Sequence, residues 1–409
     1  METAAPVTAD APVPLTEPRE GLPEVTTDPA KLRAVVDAVT NGSGPVAIDA
    51  ERASGYRYGH SAYLVQVRRA GAGTFLIDPL GVPDLTPLGA AIADTEWVLH
   101  AATQDLPCLA EVGMRPTTLF DTELAGRLLG LPRVGLGALV ESVLGFQLEK
   151  GHSAADWSTR PLPEAWLRYA ALDVELLIEL RDTLERQLRD SGKLEWALEE
   201  FAAIVAAPPP EPRSDPWRRT SGVHRVRDRR GLAAVRQLWL ERDSLAQQRD
   251  LSPGRVLPDA AIIDAALAMP ATPEDLAKLP VFKGRAQRRE LKRWFGAIAA
   301  ARALPTAELP PQTARYDGPP PARSWASREP EAAARLAAAR AALGEIAEQH
   351  TLPVENLLTP DTLRRVVWDP PDPPTVENVA SAFRARGARE WQIRLTAKPV
   401  AESLTSTAI

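Results

Sequence analysis

Two acids written into one short apolar run are the first residues of this chain whose types and spacing suit chemistry. In a strand, V-A-I-D-A-E puts Val46, Ile48 and Ala50 on one face and Ala47, Asp49 and Glu51 on the other. Asp49 and Glu51 then point the same way one pleat apart, where like charges raise each other's pKa unless a cation lies between them. A second acid, Asp105, stands in H-A-A-T-Q-D-L-P-C-L just after Thr103, which can cap a helix. The helix macrodipole alone would account for an acid in that first turn. A third lies in P-E-A-W-L-R-Y-A-A-L-D-V-E-L-L, where Trp166, Tyr169, Asp173, Leu177 and Leu180 share one helical face. A carboxylate inside an apolar stripe costs several kcal/mol unless it is paired or holds a metal, and no basic residue lies within one turn on that face. Tyr169, one turn earlier, reaches the same place. Plainer readings exist for each: an exposed strand end for Asp49 and Glu51, and for Asp173 an arginine from elsewhere.

The rest of the composition narrows the chemistry. Cys108 is the only cysteine and there are five histidines, so a thiolate zinc cluster and an internal disulfide are excluded, and a metal site must rest on carboxylates. Neither a Walker A loop nor a dinucleotide fingerprint occurs. G-H-S-A-A at 151–155 approaches a nucleophile elbow, but Ala155 takes the last glycine position and poor helix text follows. The start of the chain lacks the basic end and apolar run of a signal peptide, and no long apolar stretch suits a membrane span, so the expected location is the cytoplasm.

The elements that must position these acids come next. V-A-I-D-A-E, A-Y-L-V-Q-V-R-R, T-F-L-I-D-P-L and W-V-L-H-A-A read as strands of one sheet. Helical patterns follow over 105–112, 122–129, 136–144 and 163–189, making an α/β domain over 29–207. Residues 1–28, rich in Pro, Thr, Glu and Ala, read as a disordered tail. A linker at 208–216 leads to a helical module at 217–303, and a Pro-rich linker at 304–324 leads to a third, helical module at 325–400 without a strict repeat. The net charge of −6 hides an asymmetry: residues 1–212 carry 17 Lys and Arg against 31 Asp and Glu, whereas 213–300 carry 18 against 10. An acidic module that concentrates cations, tethered to a basic one that holds a polyanion, is one reading; a solvated arginine-rich surface is the other.

In the order Asp-x-Glu, Asp, Tyr-x-x-x-Asp, these residues resemble the DEDDy class of 3′→5′ exonucleases. With I-D-A-E, Y-L-V-Q-V, W-V-L-H-A-A-T-Q-D-L, F-D-T-E-L-A-G-R-L-L-G, G-H-S-A-A-D-W-S-T-R-P-L and L-R-Y-A-A-L-D-V-E-L-L, the chain over 45–190 resembles ribonuclease D. Residues 223–303 resemble an HRDC domain, and 325–400 reads as a second, divergent one. The resemblance implies a ribonuclease H-like mixed sheet with flanking helices, followed by all-α HRDC-like domains. It implies two divalent cations, Mg²⁺ or Mn²⁺, with Asp49 bridging them, Glu51 and Asp173 completing the first site and Asp105 serving the second. Tyr169 would orient the water that attacks the last phosphodiester, releasing a nucleoside 5′-monophosphate. His100, Gln104, Lys150, Trp157 and Arg160 are candidates for holding terminal nucleotides, Trp157 alternatively as core. Lys283 and Arg285 open a basic cluster suited to phosphate. Ala50 stands where the family more often has Thr. The expected partner is RNA, with 3′ ends such as those of tRNA precursors, acted on by a monomer without an obligate protein partner. DNA ends, or nucleic-acid binding without cleavage, are the alternatives.

Overall fold

A computed structural model of the chain describes residues 11–149, 151–152, 154–209, 211–313 and 317–405. The strands are β1 (Val13–Leu15), β2 (Val25–Thr26), β3 (Ser43–Arg52), β4 (Ala62–Ala70), β5 (Gly73–Ile77), β6 (Glu96–Leu99), β7 (Thr118–Asp121) and β8 (Phe146–Leu148). Six form a mixed sheet in the order β2-β5-β4-β3-β6-β7, with β3, β4 and β5 antiparallel and β6 and β7 running parallel to β3. The four expected strands are its centre, β3 to β6. Val46, Ala47 and Ile48 of β3 are all buried, which is why the strand reads as a continuous apolar run: helices cover both faces.

The expected helix over 163–189 is two, Glu164–Glu175 and Leu177–Asp190, turned at Leu176 (φ −110°, ψ 4°). No Gly or Pro marks the bend in the sequence. Val174, Leu176 and Leu177 are all buried there, so packing against the sheet decides it. The 136–144 helix begins as α over Leu136–Leu139 and widens into a π-turn over Val140–Leu144, a form common beside functional sites.

Residues 11–28 correct the expected disordered tail. They form a strap: β1 pairs in parallel with β8, β2 pairs with β5, and Glu17, Arg19 and Glu20 form ion pairs with Arg168, Glu179 and Arg68. The Pro-rich 304–324 stretch is likewise less of a spacer than expected. Arg229 donates to the carbonyls of Thr306, Leu309 and Pro310, and Leu309 is buried in the core of the preceding helical module.

That module, centred on Arg229–Arg249, Asp259–Ala268 and Leu291–Ala303, has its own apolar core from Trp217 to Leu309. The C-terminal helices, Pro330–Gln349 to Glu390–Thr405, instead share one core with the sheet domain. Trp391 stacks on Trp196 at 4.8 Å, and its Nε1 donates to buried Glu200 at 3.1 Å. Among the described residues no helix is long and apolar enough to cross a membrane.

Candidate active site

β3 ends at the mouth of a cavity of about 740 Å³ and delivers Asp49 and Glu51 to it. Opposite Asp49 on β4 lies buried Gln66, whose Nε2 donates to Asp49 Oδ2 at 3.4 Å. The Glu164–Glu175 helix crosses β3, β4 and β5 and sets Tyr169 and Asp173, one turn apart, into the same cavity. One carboxylate oxygen from each of Asp49, Glu51 and Asp173 lies within 4.8 Å of the others.

Asp105 arrives from the segment after β6. There Ala101 takes a left-handed conformation (φ 56°), and the carboxylate of Asp121 at the end of β7 accepts from Ala101 N at 3.1 Å and Ala102 N at 2.9 Å. The same carboxylate caps the next helix through Glu123 N and Leu124 N. A single buried Asp thus joins two chain reversals and fixes where residues 100–105 stand. Asp105 itself makes no capping bond to the Leu106–Glu111 helix. Its Oδ1 instead lies 3.2 Å from Arg52 Nη2, so its partner is a side chain of β3 rather than the amides of its own helix.

Burial is the main reason the carboxyls of this cluster bind protons tightly, and at Glu51, Asp105 and Asp173 repulsion from neighbouring carboxylates adds to it. Asp49 is pushed up to about 6, Asp105 to about 8 and Glu51 to about 10, while Asp173 is raised well above the usual range. Arg52 works against the rise at Asp49, Glu51 and Asp105. Burial and then the charge of Asp173 raise the Tyr169 hydroxyl, keeping it protonated, and burial lowers His100 to about 4, keeping it neutral. Buried acids converging without enough basic partners are an all-oxygen donor set short of positive charge, which fits a hard divalent cation.

The other expected contacts divide. His100, held by Thr122 Oγ1 at 3.0 Å, and exposed Gln104 both line the cavity. Lys150 lies outside the described residues. Trp157 is corrected from base-stacking platform to core: it is 0% exposed, between Trp166 and Tyr169. Arg160 is corrected from phosphate contact to structural clamp. Its Nε and Nη2 grip both oxygens of Asp78 at 2.7 Å, and its Nη1 and Nη2 also reach the carbonyls of Trp157, Thr159 and Tyr63, leaving no donor free for substrate. Lys283 and Arg285 are exposed with Arg288 and Arg289 around a separate basin of about 380 Å³. Sequence reasoning passed over Asp121 and Arg52. F-D-T-E carries an N-cap signal for the first; only the adjacency of a cation to Asp-x-Glu hinted at the second.

Residues 23–189 match the family model of a 3′-5′ exonuclease, 231–298 that of the HRDC domain, and 318–404 that of a 3′ to 5′ exonuclease C-terminal domain. The chain is 33% identical to ribonuclease D of Gluconacetobacter diazotrophicus over 343 residues, which is 81% of this chain and 83% of that protein. A solved protein of Bifidobacterium adolescentis superposes with TM-score 0.89 at 40% identity, covering 96% of this chain and 99% of that one. The Escherichia coli RNase D structure, an exoribonuclease involved in structured RNA processing, superposes with TM-score 0.68 at 26% identity, covering 94% and 99%.

Proposed function

The chain belongs to the ribonuclease D family, and from that premise we propose that it shortens RNA from the 3′ end, one nucleoside 5′-monophosphate at a time, by metal-assisted hydrolysis. The convergence of Asp49, Glu51 and Asp173 beside Asp105 and Tyr169 carries this reading.

Asp49, Glu51 and Asp173 would hold one divalent cation, and Asp49 with Asp105 a second; Mg²⁺ and Mn²⁺ suit such donors. When bound, the cations supply Lewis-acid stabilisation of charge developing on the phosphoryl oxygens. Tyr169, protonated at working pH, orients the attacking water by hydrogen bonding. Neutral His100, its Nδ1 engaged with Thr122, turns the rest of the ring to the terminal nucleotide. The basic basin at Lys283 and Arg285 holds the RNA body by its phosphates without reading sequence. Long, short and medium helices follow in the same order in Arg229–Ala268 and in Pro330–Trp368, which supports the C-terminal module as a second, divergent HRDC-like unit. The natural substrates on this reading are 3′ ends of structured RNAs such as tRNA precursors, trimmed by a monomer in the cytoplasm.

The test is a time course on 5′-labelled RNA with an unpaired 3′ end, with Asp49→Ala and matched DNA alongside. A ladder descending one nucleotide at a time, lost in the variant and in chelator and faster on RNA, is the expected result. RNA retained in a gel shift but never shortened would mean binding without cleavage, and equal rates on DNA would remove the RNA assignment.

A further inference from the structure

β3 does not end on its acids: the next residue is Arg52. Its Nη1 donates to the Gln104 carbonyl at 2.8 Å, and its Nη2 rests 3.2 Å from Asp105 Oδ1, the carboxylate assigned above to the second cation. The Arg52 side chain is 27% exposed against 7% for Asp105, so the guanidinium covers a buried acid from the solvent side. Arg52 also borders two spaces. One is the cavity of the acid cluster; the other, about 350 Å³, shares Ala50 and Glu51 with it and is walled by Ser54, Tyr56, His60 and Ala154.

A guanidinium and a divalent cation at one carboxylate repel each other, the more strongly away from bulk water. Occupation of Asp105 by the cation therefore favours release of Arg52. The adjoining cavity, which Arg52 already lines, gives it room to turn away from the acids, and the anion that a planar guanidinium matches best in a nucleic-acid enzyme is a phosphodiester, gripped by two parallel hydrogen bonds.

We propose that Arg52 is an exchangeable cation: it neutralises Asp105 in the metal-free protein and, displaced by the second metal, holds a backbone phosphate of the RNA strand in the adjoining cavity. This rests on the metal-binding reading of the four acids. Metal and RNA loading are then coupled, and the coupling is reciprocal.

The experiment is Mn²⁺ titration by calorimetry without RNA, on wild type, Arg52→Gln, Arg52→Lys and Asp49→Ala, with KM for a short RNA measured on the Arg52 set. Arg52→Gln should bind Mn²⁺ about tenfold more tightly at the weaker site, as expected when a like charge a few ångströms away is removed. The same variant should show a raised KM and a log–log salt slope shallower by about 0.7, the mark of one lost phosphate contact on a single strand. Arg52→Lys, which keeps the charge but not the fork, should stay near wild type in Mn²⁺ affinity and lose RNA affinity. A strut that merely props Asp105 would weaken both ligands together, so unchanged or weaker Mn²⁺ binding in Arg52→Gln overturns the proposal. If wild type and Asp49→Ala bind Mn²⁺ alike, the metal reading itself fails and takes the proposal with it.

Discussion

Glu51 shows what a cluster of buried carboxyls costs a protein when no cation balances it. Burial, with repulsion from Asp49, Asp173 and Asp105, pushes its carboxyl up from the ordinary 4.5 to about 10, so between those values the native state binds the extra proton. Stability from this group is complete below about pH 4.5 and is lost as pH rises through that window. Glu51→Gln should therefore raise the melting temperature in chelator at pH 8, with the gain vanishing near pH 4. Mg²⁺ should reverse the order, stabilising wild type but not the variant; a variant that melts lower in chelator at pH 8 would contradict the burial argument. Arg160 makes the opposite case at the same scale. Its bidentate grip on Asp78, itself 8% exposed, predicts that Arg160→Ala costs about 3 kcal/mol in a urea melt while leaving KM for RNA close to wild type.

Among the elements, the N-terminal strap and the loop after β3 carry what individual side chains do not. Thr27 of the strap passes so close to Gly81 that a Cβ there would stand 2.2 Å from the Thr27 carbonyl oxygen. Gly81→Ala should lower stability by about 1–3 kcal/mol, as overpacking does, and the loss should disappear in a chain truncated to begin at residue 29. Persistence of the loss after truncation would place the clash elsewhere. The loop after β3 is latched to the first helical module: Ser252 N donates to Tyr56 O at 2.9 Å, Arg255 Nε donates to Gly55 O at 2.9 Å with its guanidinium 4.1 Å from the Tyr56 ring centre, and Tyr58 Oη donates to Asp243 at 3.2 Å. The strand that presents Asp49 and Glu51 is thus tied to the module that carries the basic basin.

At the scale of the whole molecule, the two helical modules stand in different relations to the sheet domain. The C-terminal one shares its core, seals Trp391 against Trp196, and brings the Thr351 carbonyl so near Gly130 (φ +73°) that a Cβ there would lie 2.1 Å from it. Trp391→Ala should cost about 3–5 kcal/mol and lower the melting temperature of the entire exonuclease core rather than of the C-terminal helices alone. The first module has a separate core and meets the loop after β3 through the latch at 55–58, where hydrogen bonds accompany the packing of Tyr58 against that core. Charge reversal at Lys283 and Arg285 should leave melting unchanged, weaken binding of long RNA and flatten its salt dependence, with little effect on a trinucleotide. Equal loss on both substrates would move the basin's role into the active site.

The sequence by itself determined the central strands and the helical modules, because strand alternation and helical periodicity are local, whereas Asp49, Glu51, Asp105, Tyr169 and Asp173 stood out as one set only through a family resemblance, each acid alone having a plainer reading. It could not decide where Asp105 points, since a first-turn acid looks the same whether it caps its helix or faces a distant arginine; the left-handed turn at Ala101, held by Asp121 from another strand, settles that. Nor could it separate Trp157 and Arg160 from substrate contacts, because Asp78 lies far along the chain from Arg160 and the burial of Trp157 is set by a helix folded back over it from beyond a turn. The strap was misread for the same reason: its short strands carry little periodicity and gain their hydrogen bonds only from edges built elsewhere. Tertiary structure alone placed Arg52 between the acids and the neighbouring cavity, a position defined by contacts that no spacing in the chain encodes.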